Sequence, residues 1–321
     1  MTHALSRRSL GGAALATFAI GGSSRAAGTT EIHVDWATYN PVSLVLKEQG
    51  LLESALAGEN INVRWVQSAG SNKALEFLNA GSLDFGSTAG AAALIAKVNG
   101  NPLKSVYVFS RPEWTALVTQ KDSPIKAVAD LKGQRVAVTR GTDPHIFLVR
   151  ALAGAGLTEK DVKLVLLQHA DGRTAMERGD VVAWAGLDPM MAAAEVESGA
   201  RLFFRKPEAN TWGVLNVREA FAKENPALVK RVLAVYETAR KWCLAHPAEL
   251  KASMMAATKL SDPVIAKQLE RTDLSSGKIG PVQAATIVEA GKALQAAGVL
   301  DDKLDIASIT NGMIDASFLP A

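Results

Sequence analysis

Short apolar runs alternate with amphipathic stretches through the first two thirds of the chain. Residues 31–36 and 61–66 alternate between apolar and polar positions with a period of two, which predicts half-buried strands. Residues 42–52 and 73–80 have helical periodicity and follow polar turns, so they are predicted to be helices. Strands that alternate with helices at this short spacing favour a parallel sheet in an α/β fold. From residue 220 onward the pattern predicts helices only.

The remaining predicted elements continue this alternation before the chain becomes helical. The further predicted strands cover residues 83–85, 103–109, 115–119, 135–139, 163–167, 181–185 and 201–204. The further predicted helices cover residues 89–98, 128–133, 146–153, 170–179, 190–196, 226–245, 247–257, 262–271 and 281–297.

These elements fall into two groups that are separated by breaks in the pattern. A chain of 321 residues is long for one hydrophobic core and suits two lobes. The composition changes around residues 111–114, and we expect a return crossing near residues 212–217. We therefore predict an α/β fold of two α/β lobes joined by two crossings, with a ligand cleft between them. Lobe I comprises residues 27–113 and 218–321, and lobe II comprises residues 114–217.

The N-terminus has the features of an export leader. Residues 6–10 read Ser-Arg-Arg-Ser-Leu, and an apolar run follows over residues 10–20. Small residues then lead to a cleavage site after about Ala26, which predicts a twin-arginine-like signal peptide over residues 1–26. The alternative is a disordered or helical N-terminus that the mature protein keeps.

The charge balance argues against two classes of partner. The formal net charge of +3 is matched by three arginines in the leader, which has no acidic residue, so the rest of the chain is formally neutral. Neutrality disfavours nucleic acid and an anionic membrane surface. The single cysteine, Cys243, permits no internal disulfide, and the leader has no cysteine that a lipid anchor needs. We expect an exported, soluble periplasmic protein without a lipid anchor.

Polar turns at predicted helix starts form the candidate ligand site. Ligands of α/β sheets bind beyond the carboxyl ends of the strands, and N–H groups at a helix start bind anions without Lys or Arg. We place the turn Gly86–Thr88 at the centre of this site. The alternative is that Ser87 or Thr88 only caps a core helix. The turns that qualify as anion contacts cover residues 68–72, 86–88, 141–143, 170–172 and 187–189.

Four sequence segments, at residues 46–53, 80–88, 128–137 and 179–189, resemble a known family. They read LKEQGLLE, AGSLDFGST, VADLKGQRVA and GDVVAWAGLDP. In this order they are similar to the periplasmic substrate-binding components of sulfonate, taurine and nitrate ABC transporters, above all the aliphatic-sulfonate branch. The resemblance implies the type II periplasmic-binding-protein fold. It also implies a monomer without a cofactor that serves sulfur metabolism: it would bind a small organic sulfonate and deliver it to a permease driven by an ATPase.

The resemblance also implies which residues line the cleft. The residues that match the family's contacts are Ser87 and Thr88 in the Gly86–Thr88 turn, Gly141, Thr142, Asp143 and His145 in the lobe II turn, and Trp184 and Asp188 near the last strand. Tyr39 and Asn40 are also predicted ligand contacts, in a first turn that is bulkier than the family's Gly/Ser-rich version. Leu187, Met190 and Met191 stand where the sulfonate branch often has a second Trp and a pair of Tyr. The oxyanion end of the ligand therefore follows from the resemblance, whereas the organic end stays open.

Several of these residues have an alternative role. Asp143 and Asp188 each precede a proline and fit a helix N-cap, which we favour because a carboxylate repels a sulfonate. Asp188 would otherwise pair with the ammonium group of a taurine-like ligand. His145 either donates to the anion or hydrogen-bonds within the first helical turn. Trp184 either stacks on the organic part of the ligand or packs in the core.

Other function classes lack their chemistry in this sequence. Relatives of the fold that cleave sulfinates or form pyrimidines use a cleft cysteine or a Cys-rich motif, whereas Cys243 lies in a predicted C-terminal helix as a packing residue. His33, His169 and His246 have no Cys, Asp or Glu at metal-ligand spacing, so we predict no metal site. Taurine or nitrate binding is the alternative within the family. An enzyme or a membrane-tethered sensor is less favoured.

Overall fold

The backbone follows the predicted alternation of strands and helices. The structure is a computed structural model that describes residues 29–319, and the predicted leader lies outside the described residues. The strands are β1 (Glu31–Trp36), β2 (Asn62–Gln67), β3 (Phe85–Ala89), β4 (Leu103–Pro112), β5 (Leu117–Thr119), β6 (Arg135–Val138), β7 (Lys163–Leu166), β8 (Ala183–Ala185), β9 (Arg201–Phe204), β10 (Gly213–Arg218) and β11 (Thr272–Asp273). The α-helices are α1 (Pro41–Glu48), α2 (Leu51–Leu56), α3 (Ser71–Asn79), α4 (Gly90–Val98), α5 (Asp143–Gly154), α6 (His169–Arg178), α7 (Met190–Ser198), α8 (Glu219–Glu224), α9 (Pro226–Ala245), α10 (Pro247–Thr258), α11 (Asp262–Glu270), α12 (Pro281–Ala296) and α13 (Ile306–Met313).

The strands form two separate sheets. The first sheet has the order β11-β4-β10-β3-β1-β2, and the second has the order β7-β6-β8-β5-β9. In each sheet a parallel core (β1 with β2 and β3, and β6 with β7 and β8) is extended by antiparallel strands. The carboxyl ends of the parallel strands are the ends at which a ligand is expected. The division into lobes at residues 113/114 and 217/218 stays a prediction, and β10, most of which was assigned to lobe II, pairs in the first sheet.

Three predictions are wrong in detail: the turn Gly86–Thr88, the helix over residues 42–52, and helices only after residue 220, where residues 272–273 form β11 against β4. The predicted turn Gly86–Thr88 is strand, because β3 continues to Ala89 and pairs with β10 over its whole length. The predicted helix over residues 42–52 is two helices, since Gly50 has a left-handed φ of 59° between α1 and α2. The first difference matters for the site, because it removes the turn that was placed at its centre.

The C-terminal helices complete the core of the first sheet. Val34, Phe85 and Val217 of the sheet belong to one buried cluster with Val232 and Cys243 of α9. Burial raises the pKa of the Cys243 thiol to about 12, which fits the predicted packing role.

Within residues 29–319, the helices are too short or too polar to cross a membrane.

Gly213 marks a close approach at the start of β10. A Cβ at this position would lie 2.4 Å from Cε2 of Phe109 and 2.8 Å from the hydroxyl of Ser110. Gly213→Ala is therefore expected to lower the free energy of unfolding by about 1–3 kcal/mol through overpacking, as measured by urea denaturation. The matched control is Gly312→Ala in α13, where a Cβ meets no atom within 4 Å. Its helix propensity predicts a gain of up to about 1 kcal/mol. Equal stability of the two variants would contradict the close approach.

Candidate functional site

Ser87 lies in a buried hydrogen-bond network of the first sheet. Its backbone N–H and its hydroxyl donate to the two carboxylate oxygens of Asp35, at 2.9 and 2.8 Å. Asn40 Nδ2 donates to Ser87 Oγ at 2.8 Å, and the Tyr39 hydroxyl donates to the Ser87 carbonyl at 2.9 Å. Burial raises the pKa of Asp35 to about 6, opposed by the donors from Ser87. Tyr39, Asn40 and Ser87 therefore satisfy one another and Asp35, and their role as ligand contacts stays a prediction.

The hydrogen-bonding groups at the start of α4 bind other residues of the protein. Thr88 Oγ1 accepts from Asn216 Nδ2 at 2.8 Å. The N–H groups of Gly90 and Ala91 donate to the Trp212 carbonyl and to Thr211 Oγ1, at 2.9 and 3.2 Å. Neither Ser87 nor Thr88 caps the helix, because its N-cap is Ala89. Residues of the second crossing thus accept hydrogen bonds from the first two backbone N–H groups of α4, where the sequence predicted an anion to bind.

Asp143 joins both crossings to α5. Its carboxylate accepts from Trp114 Nε1 at 2.8 Å, and from the N–H and the hydroxyl of Thr211 at 3.0 and 2.8 Å. Trp114 and Thr211 belong to the two segments that connect the sheets. Burial raises the pKa of Asp143, and the three donors oppose that rise. The N-cap of α5 is Thr142 rather than the predicted Asp143, whose carboxylate anchors the crossings.

The other residues of the lobe II turn have separate roles. The Thr142 hydroxyl donates to the Thr139 carbonyl at 2.6 Å, and His145 Nε2 lies 2.8 Å from a carboxylate oxygen of Glu159. Gly141 has a left-handed φ of 76°, and a Cβ there would lie 4.0 Å from Cβ of Asn72 on α3. Gly141 therefore lies where the segment after β6 meets the first sheet's helices, while His145 is turned toward Glu159.

The Asp188 carboxylate is paired with a cationic side chain of the protein itself, Arg271. The N-cap of α7 is Pro189 rather than the predicted Asp188. Asp188 Oδ1 accepts from the Ala192 N–H at 2.9 Å, and its Oδ2 lies 3.4 Å from Nε of Arg271. Arg271 follows α11 and also donates to Glu195 on α7 at 2.6 Å. Burial raises the pKa of Asp188 to about 7, and Arg271 opposes that rise. The pair links α7 to the C-terminal helices.

Trp184 is fully buried in the second sheet. It belongs to an apolar cluster with Val118, Met176 and Met191, and its Nε1 has no hydrogen-bond partner. A Cβ on Gly172 would lie 2.7 Å from that nitrogen, so the indole edge lies beneath the first turn of α6. This placement favours the packing alternative, and stacking on a ligand stays a prediction.

The beginnings of α3 and α6 meet between the two sheets. The helices follow β2 and β7, which are edge strands of the two sheets. Asn72 Oδ1 and His169 Nε2 are buried without a hydrogen-bond partner. A Cβ on Gly70 would lie 2.9 Å from each of them. N–H groups at both helix starts lack intrahelical partners, so this position combines anion-binding backbone with two unpaired polar side chains.

Sequence reasoning included the turns at residues 68–72 and 170–172 but assigned no role to Asn72 or His169. The sequence around His169 has no Cys, Asp or Glu at metal-ligand spacing, and that spacing carries no information on a role in anion binding. The useful signal is its position as the first residue of a helix that follows a parallel strand. Among residues 29–319, no group of three or more His, Cys, Asp or Glu side chains is placed to hold a metal ion.

Apolar side chains also join helices of the two sheets. Ile146 and Val149 of α5 pack with Ala91 of α4 and with Leu294 of α12. On another side, Ala192 and Ala193 of α7 pack with Val264 of α11. These contacts bring helices of the second sheet against helices of the first.

Comparison with known proteins identifies the family. The family profile described as NMT1/THI5 like matches residues 56–250, which is more than half of the chain. The chain belongs to this family. A protein of Escherichia coli (strain K12) named as an aliphatic sulfonates-binding protein is 34% identical over 232 residues, which cover 71% of this chain and 72% of that protein.

Solved structures of similar fold agree with this membership. The periplasmic aliphatic sulphonate binding protein SsuA from Escherichia coli has a TM-score of 0.72 and 29% identity, and the match covers 86% of this NMT1/THI5-like chain and 90% of that one. The alkanesulfonate-binding protein SsuA from Xanthomonas axonopodis pv. citri, bound to MOPS, has a TM-score of 0.79. At 24% identity, with 88% and 99% of the two chains covered, it supports the fold alone.

These relatives confirm three expectations from the sequence. The family resemblance is confirmed by the profile and by the identity to the Escherichia coli protein. The two-lobed α/β periplasmic-binding-protein fold is confirmed by the structural matches. The relatives named above are binding proteins rather than enzymes, as expected for this chain.

The buried pair of Arg271 generates a stability prediction. Arg271→Met leaves the Asp188 carboxylate buried without its cation, so we expect the free energy of unfolding to fall by about 3–5 kcal/mol. The matched control is Arg205→Met, because Arg205 also binds a carboxylate (Glu113) but its side chain is 51% exposed against 8% for Arg271. We expect the control to cost under about 1 kcal/mol in urea denaturation. Similar losses in both variants would show that the Arg271 pair is not the stronger link.

Proposed function

We propose that this protein is the solute-binding component of an ABC importer for a small organic sulfonate. The observation that carries the proposal is the meeting of the α3 and α6 starts around Asn72 and His169, in a chain whose relatives include aliphatic sulfonate-binding proteins. The ligand would lie between the two sheets, and closure around it would present the complex to a permease and its ATPase.

The chemistry of this position suits an oxyanion of fixed charge. A buried oxyanion needs hydrogen-bond donors at each oxygen, and helix starts supply N–H groups together with a favourable dipole. No Lys or Arg is required, in keeping with the formal neutrality of the chain outside its leader. The site therefore relies on geometry more than on net charge.

The Asp188 pair favours a plain sulfonate over an amino-sulfonate. The sequence left open that Asp188 binds the ammonium group of a taurine-like ligand. In the structure Arg271 lies 3.4 Å from that carboxylate, so a ligand ammonium would have to compete with a cation already present. We therefore rank alkanesulfonates above taurine, with nitrate as the smaller alternative.

The place of action follows the same proposal. The twin arginines and the apolar run of residues 1–26 predict export, and the SsuA relative from Escherichia coli is described as periplasmic. We infer that the mature protein acts in the periplasm as a monomer.

Calorimetric titration tests the proposal directly. The panel is methanesulfonate, hexanesulfonate, taurine, nitrate and sulfate, added to the protein with and without residues 1–26. We expect one-to-one binding of an alkanesulfonate, with taurine, nitrate and sulfate at least tenfold weaker. Preference for taurine or nitrate would reassign the ligand within the family, and absence of binding by every sulfonate would overturn the proposal.

A variant locates the site within the protein. Gly70 has extended backbone, with φ 168° and ψ 167°, so Gly70→Ala adds a methyl group without backbone strain. That methyl would lie 2.9 Å from both Asn72 Oδ1 and His169 Nε2, and we expect at least tenfold weaker alkanesulfonate binding in the same titration. The matched control is Gly58→Ala, where a Cβ meets no atom within 4 Å and binding is expected to be unchanged. Unchanged binding in both variants would place the ligand elsewhere.

A further inference from the structure

The hydrogen bonds of His169 determine which ring nitrogen holds its proton. His169 Nδ1 lies 3.2 Å from Thr139 Oγ1, and that hydroxyl donates to the Leu167 carbonyl at 2.7 Å. A hydroxyl has one hydrogen, and the shorter contact to Leu167 uses it. Nδ1 must then be the donor to Thr139, so in the neutral ring Nε2 carries a lone pair and no hydrogen.

This lone pair points toward the place proposed for the ligand. His169 is 4% exposed, and its Nε2 has no partner. The nearest part of the first lobe is the start of α3, where a Cβ on Gly70 would lie 2.9 Å from both His169 Nε2 and Asn72 Oδ1. Burial lowers the pKa of His169 to about 3, so the ring is neutral while the cleft is empty.

The surrounding charges do not supply a partner for the ring. On the elements packed around His169, the charged groups are exposed or paired with one another. They are Lys73 with Glu76 on α3, Arg140 with Glu159 beyond β6, Arg173 with Glu177 and Glu197 on α6 and α7, Glu195 with Arg271, and the exposed Asp171, Arg178 and Arg135 on α6 and β6. An anion in the cleft would therefore be the charge that His169 meets most directly.

A neutral His169 and an anionic ligand are mismatched. The lone pair on Nε2 repels a sulfonate oxygen, whereas a protonated ring places an N–H and a positive charge against it. We propose that His169 takes up one proton from solvent when an anionic ligand enters the cleft, so that Nε2–H donates to a ligand oxygen. Nδ1–H keeps its bond to Thr139, no covalent bond breaks, and the ligand stays fully ionised.

This inference rests on the proposed function and predicts coupled proton uptake. A sulfonate stays ionised at all relevant pH values, so any proton taken up on binding belongs to the protein. Between the low pKa of His169 in the empty protein and its pKa in the complex, one proton is taken up per bound ligand, and the affinity should fall about tenfold for each unit rise in pH. Above the pKa of His169 in the complex, the affinity is independent of pH and no proton is taken up.

The test measures protons and affinity separately. The tightest alkanesulfonate of the panel is added as its neutral sodium salt to unbuffered protein at pH 6–8, and a pH electrode records the uptake. We expect close to one proton per bound ligand where His169 is charged in the complex. Titrations between pH 5 and pH 9, in buffers free of sulfonates, give the pH dependence of Kd. Nitrogen-15 chemical shifts of the ligand-free protein should show His169 protonated at Nδ1 only.

Two variants separate this inference from the proposed function. His169→Gln keeps a neutral donor at this position, so we expect sulfonate binding without proton uptake and with a Kd independent of pH. His246→Gln, which replaces a histidine stacked on Trp242 far along the chain, should keep the uptake. Circular dichroism and urea denaturation verify that both variants fold.

The outcomes are distinguishable. Tight sulfonate binding by the unchanged protein with no uptake and a flat pH profile would overturn the role of His169 and leave the proposed function standing. Uptake that persists in His169→Gln would also overturn it, since another group would then be the acceptor. Absence of sulfonate binding would overturn the proposed function and this inference together.

Discussion

The buried carboxylate of Asp143 is the constraint on which the arrangement of the two sheets depends. A carboxylate without a directly bonded cation is stable inside a protein only when donors surround it. Here the donors come from Trp114 in one crossing and from Thr211 in the other. The Thr211 hydroxyl also accepts from Ala91 at the start of α4. One side chain therefore ties α5, both crossings and, through Thr211, α4 together.

The order of strands and helices was predictable because it depends on local periodicity. The residues that hold the crossings were not, since their partners lie far away in sequence. Ser87 is 52 residues from Asp35, and Thr88 is 128 residues from Asn216, yet each pair is joined by a hydrogen bond of 2.8 Å. A Gly-Ser-Thr segment between an apolar strand and a helix predicts a turn when such partners are unknown. The distant donors and acceptors allow the same residues to continue a buried strand.

The candidate site shows a different limit of sequence reasoning. The two helix starts at residues 68–72 and 170–172 were recognisable as polar turns after strands. The unpaired state of Asn72 and His169 was not recognisable, because it arises only when the helices of the two sheets bury each other's first turns. Thr211 and Trp212 occupy the first donors at the start of α4, so we propose the starts of α3 and α6 as the anion site instead.

This position explains how ligand binding and closure can depend on each other. The periphery of the interface favours closure, through the Arg271 pair and the apolar contacts of α5 and α7. Its centre opposes closure, because each buried polar atom that lacks a partner costs about 1–3 kcal/mol, and Asn72 Oδ1 and His169 Nε2 are two of them. If His169 takes up a proton from solvent when the anion enters, as proposed above, one of these unpaired acceptors becomes a bonded donor. The centre then favours closure as well. Closure is therefore more favourable with the ligand bound than without it, for a reason local to two side chains.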